Sequence, residues 1–496
     1  MRTRTDDVVI GIDVGTSSCK ALALDRTGQV VARAGADHPL EHPHPGWAEQ
    51  DPHHWIDGLT STVRRVAAEV GPERVRAIGV AAQVDGIVAV DAADQALAPA
   101  ILWLDRRASA EAAALGERWG ADAIRRRTGI NLDASHGAPK IAWLRGRGGA
   151  AAAADAYLLP GAFMAAWLCG ERVADPATAS STMLLDLASR TWAADLVADL
   201  GLEPRQLGAI AAAQESVGAL RPGVAEALGL PAGVAVVTGT GDEFGACIGA
   251  GAIDPGLVCD ITGTAEPVAA ASTTPLLDPT GLVETHPHAA PDRWLLENPG
   301  FVSGGARRWL ADSILGVPAE RITELAADAP PGADGLVFIP ALGGAVTPRW
   351  NDRARGTFHG LRLGHDRRHL ARAVLEGCAF ALRDLVDRLD ELGLAGERVR
   401  ILGGGARDAL WPSIKADVTG RVMERLVEPE ATALGGAVLA ATGAGWYPDV
   451  ATAAAVSARV HADVAEPDPA HRDLYAEAYA RYRAIFDALE PIPMDR

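Results

Sequence analysis

Lysine is almost absent. Only Lys20, Lys140 and Lys415 occur in 496 residues, so arginine supplies nearly all of the positive charge. The net charge is −18 and no Lys/Arg-rich block occurs, which argues against a nucleic-acid footprint. No glycine is followed by lysine anywhere, which excludes a Walker A loop. A strict G-x-G-x-x-G after a strand is also missing, which weakens a dinucleotide-binding reading. The five cysteines (Cys19, Cys169, Cys247, Cys259, Cys378) are scattered with no C-x-x-C, so reduced, buried thiols in a cytosolic protein are expected. The start, "MRTRTDDVVIGID", does not read as a signal peptide, because two acids precede a very short apolar run. The most membrane-like stretch, 431–448, is rich in Ala, Gly and Thr and reads as a tightly packed interior helix. What is left is a cytoplasmic enzyme without nucleic-acid or membrane partners.

With 48% hydrophobic residues the chain can bury large cores. Apolar β-like runs recur at 8–13, 75–82, 86–91, 234–238, 257–261, 294–297, 336–340 and 399–402. Amphipathic stretches lie between them, such as 369–385 with Leu370, Val374, Leu375 and Phe380 near helical spacing. That alternation predicts an α/β class. "IGIDVGTSS" and "VCDITGTAE" both run an apolar strand through an Asp into a Gly-Thr turn, and "LGGGARD" is a third glycine turn. The echo predicts two similar, closely hinged domains, 1–245 and 246–496, with 468–490 a terminal helix on the body. Segment 145–156 reads as a helix end plus surface loop, and 270–281 as a surface hairpin tip.

The stretch 8–25, "VVIGIDVGTSSCKALALD", interrupts a core strand with an acid, a glycine and three hydroxyls before turning apolar again. Such a turn aims backbone N–H groups and hydroxyls at one point, which suits phosphate oxygens. Asp13 beside it would repel phosphate unless Mg²⁺ sat between them. In "VVTGTGDEFGACIGAG" (236–251) Asp242 and Glu243 stand at a helix start. Asp242 reads either as a helix cap or as a carboxylate that takes a proton from an attacking hydroxyl.

These residues resemble the FGGY carbohydrate kinases. "VIGIDVGTSSCKALALD", "GWAEQDPHHW", "ILWLDRR", "TGTGDEFGA", "ITGTAEP" and "LGGGARD" fall in that family's order, and "GTFHGLRLGHDRRHLARAVLEG" (356–377) is similar to its C-terminal signature. The resemblance covers about 8–445. It implies an actin-like ATPase (ribonuclease-H-like) fold, two domains around a central cleft, with ATP and Mg²⁺ as cofactors. By that resemblance Asp13 would hold Mg²⁺ through water. Gly15, Thr16 and Ser17 would cradle phosphates from one domain, Gly263 and Thr264 from the other. Gly304 would contact nucleotide, Gly404, Gly405 and Ala406 would lie against adenosine, and Asp242 would be the general base.

Within the family, the length and the stretches at 46–55 and 371–377 are most similar to xylulose kinases. There the segment after the third strand usually reads Gln-Met-His-Gly; here it is Gln83-Val84-Asp85-Gly86. The residue after the catalytic Asp is commonly Asn; here it is Glu243. Ala265 stands where a Ser is common and Gly137 where a hydroxyl residue or Pro is usual. The substrate-binding set is therefore Gln83, Val84, Asp85, Trp103, Asp242 and Glu243. A carboxylate at 85 accepts from sugar hydroxyls and disfavours a sugar acid; the alternative is a turn acid. Trp103 could equally be core, Asp105 and Arg106 a structural ion pair, and His38, His42 and His44 a loop over the sugar cleft. Gly435-Gly436 is expected to permit close packing behind the adenosine site. D-Xylulose is the first substrate expected. Another ketopentose or polyol (ribulose, L-xylulose, ribitol, erythritol, glycerol) comes next. An actin-like nucleotide switch without sugar kinase activity is the alternative of another class. The partner is a small sugar or polyol, and a homodimer is compatible with the family.

Overall fold

The computed structural model describes residues 6–489. Residues 1–5 of the N-terminal stretch, and residue 490 at the end of the expected terminal helix, lie outside the described residues. Two mixed sheets organise the chain. The first holds β1 (Val8–Val14), β2 (Ser18–Asp25), β3 (Val30–Asp37), β4 (Val75–Ala82), β5 (Ser216–Ala219) and β6 (Ala235–Val237), in the order β5-β6-β4-β1-β2-β3. The second holds β7 (Leu257–Thr262), β8 (Ala265–Ser272), β9 (Glu284–Pro287), β10 (Trp294–Val302), β11 (Arg398–Gly403) and β12 (Val422–Arg425), in the order β9-β10-β8-β7-β11-β12.

The two sheets repeat one plan. An antiparallel meander, β1-β2-β3 or β7-β8-β10, is extended by two parallel strands, β4 and β6 or β11 and β12. β1 is buried at every position except Asp13, as a strand covered on both faces requires. The internal echo of the sequence thus becomes two homologous strand–turn–strand units.

The helices used below are α1 (Pro52–Val70), α2 (Asp242–Gly249), α3 (Arg367–Glu391), α4 (Leu410–Thr419), α5 (Ala431–Gly443) and α6 (Arg472–Leu489). α2 runs through residue 245, where the sequence division was placed. α5 follows the second sheet in sequence but packs on the first, lying across β1 and β4 and against α2. A Cβ on Gly11 would stand 1.9 Å from the Ala433 carbonyl, one on Gly79 2.1 Å from the Gly436 carbonyl, and one on Gly249 2.0 Å from the Ala431 carbonyl. Gly435, expected to permit close packing, lies against Gly245 of α2, where its own Cβ would clash at 1.9 Å. Residues of both sheets, with α2 and α5, form one buried apolar cluster. Gly11→Ala should force β1 and α5 apart and destabilise by about 1–3 kcal/mol, read as a lower unfolding midpoint by calorimetry.

Two local expectations change. Segment 270–281 is no hairpin tip: it links β8 to β9, which are separated by β10. Asp278 within it is buried, and its Oδ1 accepts from Arg388 at 2.6 Å. Segment 145–156 contains an additional short helix, Gly149–Ala152. On α6 the buried face is Tyr475, Tyr482, Ile485 and Phe486. Among the described residues no helix is long and apolar enough to cross a membrane.

Candidate active site

Both Gly-Thr turns stand at strand ends. Asp13 is opposite Ala81 of β4, and Ala81 is opposite Thr240, two residues before Asp242. Asp13 and Asp242 thus leave one edge of the first sheet two strands apart, where parallel sheets collect ligands. In the second sheet Thr262 is opposite Gly403, which brings the turns of Gly263 and Gly404 together.

The first turn is braced from below. Gly15 N–H donates to the Ser18 carbonyl at 3.1 Å, while Ser17 is exposed. The Gly15 carbonyl contacts His38 Nε2 at 2.9 Å, and the Thr16 carbonyl accepts from Gln50 Nε2 at 2.6 Å. Gln50 Oε1 in turn accepts from Trp55 Nε1 and from Gln83 Nε2, each at 2.9 Å. Trp103 donates its indole N–H to Thr16 Oγ1 at 2.9 Å. Gln83 and Trp103, expected at the sugar, support the Gly15–Ser17 turn, Gln83 through Gln50. Gln50 and His38 were missed as supports; the signal was the buried-type Gln and Trp inside the polar stretch at 46–55. His38 is a strut, His42 contacts the Trp47 carbonyl and His44 packs edge-on against Trp47. Asp105 pairs with Arg107 at 2.6 Å instead of with Arg106, which pairs with Asp133.

The second turn converges on glycines. Gly304 N–H donates to the Gly263 carbonyl at 3.1 Å, and a Cβ at 304 would meet that carbonyl at 2.2 Å. Gly405 packs on the Thr262 side chain, and Gly403, not Gly404, carries the positive φ of 74°. Gly404, Gly405 and Ala406 form a single 3₁₀ turn. Beneath it Lys415 of α4 is buried, 2.6 Å from Asp260, 2.7 Å from Thr262 Oγ1 and 3.0 Å from Glu266. Glu266 accepts from Ser303, the residue before Gly304.

Each of the three lysines thus serves this region. Lys20, opposite Asp13 on β2, pairs with Glu430 at 2.6 Å. Lys140 is buried and donates to the Asp85 carbonyl at 2.6 Å, and burial lowers its ammonium to about 8. Their scarcity was a signal of role that composition alone did not decode.

Asp242 is the first residue of α2, with Gly241 in the cap position, so it is not the cap. Its Oδ1 accepts from Glu243 N–H at 3.0 Å. Burial pushes its carboxyl up to about 7, against the backbone amides of Glu243 and Val84. Burial likewise raises Asp13 to about 7; Lys20 opposes, while the charges of Asp242 and Glu430 add. An oxygen-only acid such as Asp13, at a strand end next to the Gly15–Ser17 turn, fits a hard cation such as Mg²⁺.

Asp85 has φ 59° and is held on three sides: Oδ1 lies 3.0 Å from His136 Nδ1, its N–H faces Ser181 Oγ at 3.4 Å, and Lys140 takes its carbonyl. Glu243 is raised well above the usual carboxylate range, chiefly by burial and then by the charges of Glu297, Asp242, Asp85 and Glu284. Glu284 and Glu297 come from the second half of the chain, so both halves contribute acids here. Val84 abuts this region, its methyl lying where a Cβ on Gly241 would stand.

Comparison with known proteins agrees with this geometry. Residues 8–249 match the N-terminal domain of the FGGY family of carbohydrate kinases, and 260–444 match its C-terminal domain. A xylulose kinase of Escherichia coli is 34% identical over 84% of this chain and 85% of its own length. A glycerol kinase of Aromatoleum aromaticum is 34% identical over 88% of this chain and 90% of its own. The crystal structure of xylulose kinase from Rhodospirillum rubrum superposes with a TM-score of 0.87 at 33% identity, covering 98% of this chain and 99% of that one. With the paired actin-like sheets, each carrying a Gly-Thr turn at a strand end, these matches show that the chain belongs to the FGGY family of carbohydrate kinases.

Proposed function

We propose that the protein transfers the γ-phosphate of ATP to a hydroxyl of D-xylulose, giving D-xylulose 5-phosphate, with Asp242 as general base. Kinases of this family use ATP. The single observation that carries the reading is Asp242 at the start of a helix that bridges both sheets, beside Asp13 and the first phosphate turn. A carboxyl raised to about 7 is poised to take a proton near neutrality. Asp13 would hold Mg²⁺, whose charge, when bound, offsets that of the phosphates. The turns at 15–17 and 263–264 would orient ATP, Gly304 and 404–406 would flank the nucleotide, and the acceptor would lie against Gln83, Val84, Asp85, Trp103 and Glu243. Positioning and charge neutralisation dominate such a transfer. The division is 1–245 for sugar and the first turn and 246–496 for nucleotide, in a cytoplasmic protein.

Xylulose kinases among the relatives favour the ketopentose, and a glycerol kinase among them keeps a polyol as the second reading. The acids around Glu243 disfavour a sugar acid by like-charge repulsion. A coupled ADP-release screen over pentuloses, pentitols, glycerol, erythritol, hexuloses and gluconate tests this. D-Xylulose should give the highest kcat/KM; a higher value for another acceptor replaces it, and no turnover with any overturns the reading. Asp85→Asn should raise the acceptor KM by about 10-fold or more with the ATP KM unchanged, as loss of one charged hydrogen bond implies. Equal KM values in that screen remove Asp85 from the acceptor site.

A further inference from the structure

Glu284 and Glu297 are direct cross-strand partners on β9 and β10, and both are buried. Like charges placed directly opposite destabilise a sheet, and burial sharpens the repulsion. His286, two residues along β9, shares the face of Glu284. Its Nε2 lies 3.3 Å from Glu297 Oε1 and 4.0 Å from Glu284 Oε2. Yet Nε2 has no hydrogen-bond partner among the described residues, and neither has Glu297 Oε2. The ring therefore aims between the two carboxylates instead of at either.

The tautomer follows from the other ring nitrogen. Ser180 Oγ donates to the Ala177 carbonyl at 2.6 Å, so at 2.7 Å it accepts from His286 Nδ1–H. In the neutral ring that leaves a lone pair on Nε2. His136 stands outside this group: its Nδ1 pairs with Asp85 at 3.0 Å, and its Nε2 is 3.9 Å from Glu284 Oε1. His286, with Nδ1 fixed by an oxygen partner and Nε2 turned to carboxylates, has the usual form of a metal-supporting histidine.

We propose that Glu284, Glu297 and the Nε2 atom of His286 form a structural site for a divalent cation of the Zn²⁺ class. An imidazole and two carboxylates, with a water to complete the set, suit Zn²⁺ better than Mg²⁺. The site is separate from Asp13. It would tie β9 to β10 beside the acids that surround Glu243.

The test uses the full chain in excess Mg²⁺, which keeps the Asp13 site occupied. After chelator treatment and dialysis, Zn²⁺ and Co²⁺ are titrated, with metal content read by mass spectrometry and coordination by Co²⁺ ligand-field absorption. One Zn²⁺ per chain, intense tetrahedral-type Co²⁺ bands and a raised unfolding midpoint are expected. Glu297→Gln and His286→Gln should lose all three, with an unchanged circular-dichroism spectrum. Ser180→Ala should weaken Zn²⁺ affinity by about 10- to 100-fold. Asp13→Asn should keep the stoichiometry. No Zn²⁺ on the wild type, full binding by Glu297→Gln, or loss in Asp13→Asn would each overturn the proposal.

Discussion

Asp242→Asn lowers kcat by about 10²- to 10⁴-fold, the usual effect of removing a general base, and leaves the affinities for ATP and sugar near those of the wild type. The substitution keeps shape and size. Asn can still accept from the Glu243 amide as Asp242 does at 3.0 Å, so the start of α2 persists. What disappears is the capacity to take a proton. Steady-state kinetics with separate binding titrations reads the split: kcat and kcat/KM fall together, the mark of a group that acts only in the transition state. The kcat/KM of the wild type should rise with pH through about 7, because burial lifts the Asp242 carboxyl there and only its ionised form is a base. Retained turnover in the variant sinks the assignment. Sugar-independent hydrolysis at an unchanged slow rate in both proteins would instead favour the nucleotide-switch reading.

How far the site was readable from sequence depends on the range of the interaction. The strand at 75–82 was placed to the residue because an apolar run between turn residues needs only local information. The two Gly-Thr turns were readable for the same reason, and their symmetry predicted the paired sheets. Long-range partners were not. Gly435 and Gly436 announced a close contact, but only the fold shows that the contact is α2 and β4, because nothing local distinguishes one backbone from another. Segment 270–281 read as a surface hairpin tip because Arg388, the partner of its Asp278, is 110 residues away. Asp85 read as either a sugar contact or a turn acid; it has the positive φ of a turn and also an ion pair to His136 that no spacing rule connects. Segment 46–55 was visible as a motif, while the role of Gln50, bracing Thr16 from below, emerges only when α1 and β1 are brought together.

Lys415→Met should be the most damaging change outside the reacting groups. Lys415 is buried, and its ammonium is surrounded by Asp260, Thr262 and Glu266 within 3.0 Å. Removing one member of a buried ion network leaves the others uncompensated, which destabilises by about 3–5 kcal/mol. The loss depends on pH with a definite sign. Burial, then the charge of Asp260, push Glu266 up to about 8 even with Lys415 opposing. A carboxyl raised in the folded state favours folding fully below its unfolded value of 4.5, and that contribution disappears as pH rises through about 8. Without Lys415 the ionised form is worse still, so the gap between variant and wild type should widen from pH 5 to pH 9. Urea unfolding at several pH values measures it; a gap independent of pH would show that Glu266 does not sense Lys415. The same variant should raise the ATP KM more than the sugar KM. Lys415 holds Thr262 at the end of β7, and Glu266 holds Ser303 beside Gly304, so both supports of the second phosphate turn loosen together. Equal changes in the two KM values would indicate general loosening of the fold, because Asp85 and Trp103, proposed for the acceptor, lie on the other sheet's side and bond to His136 and Thr16 instead of this network.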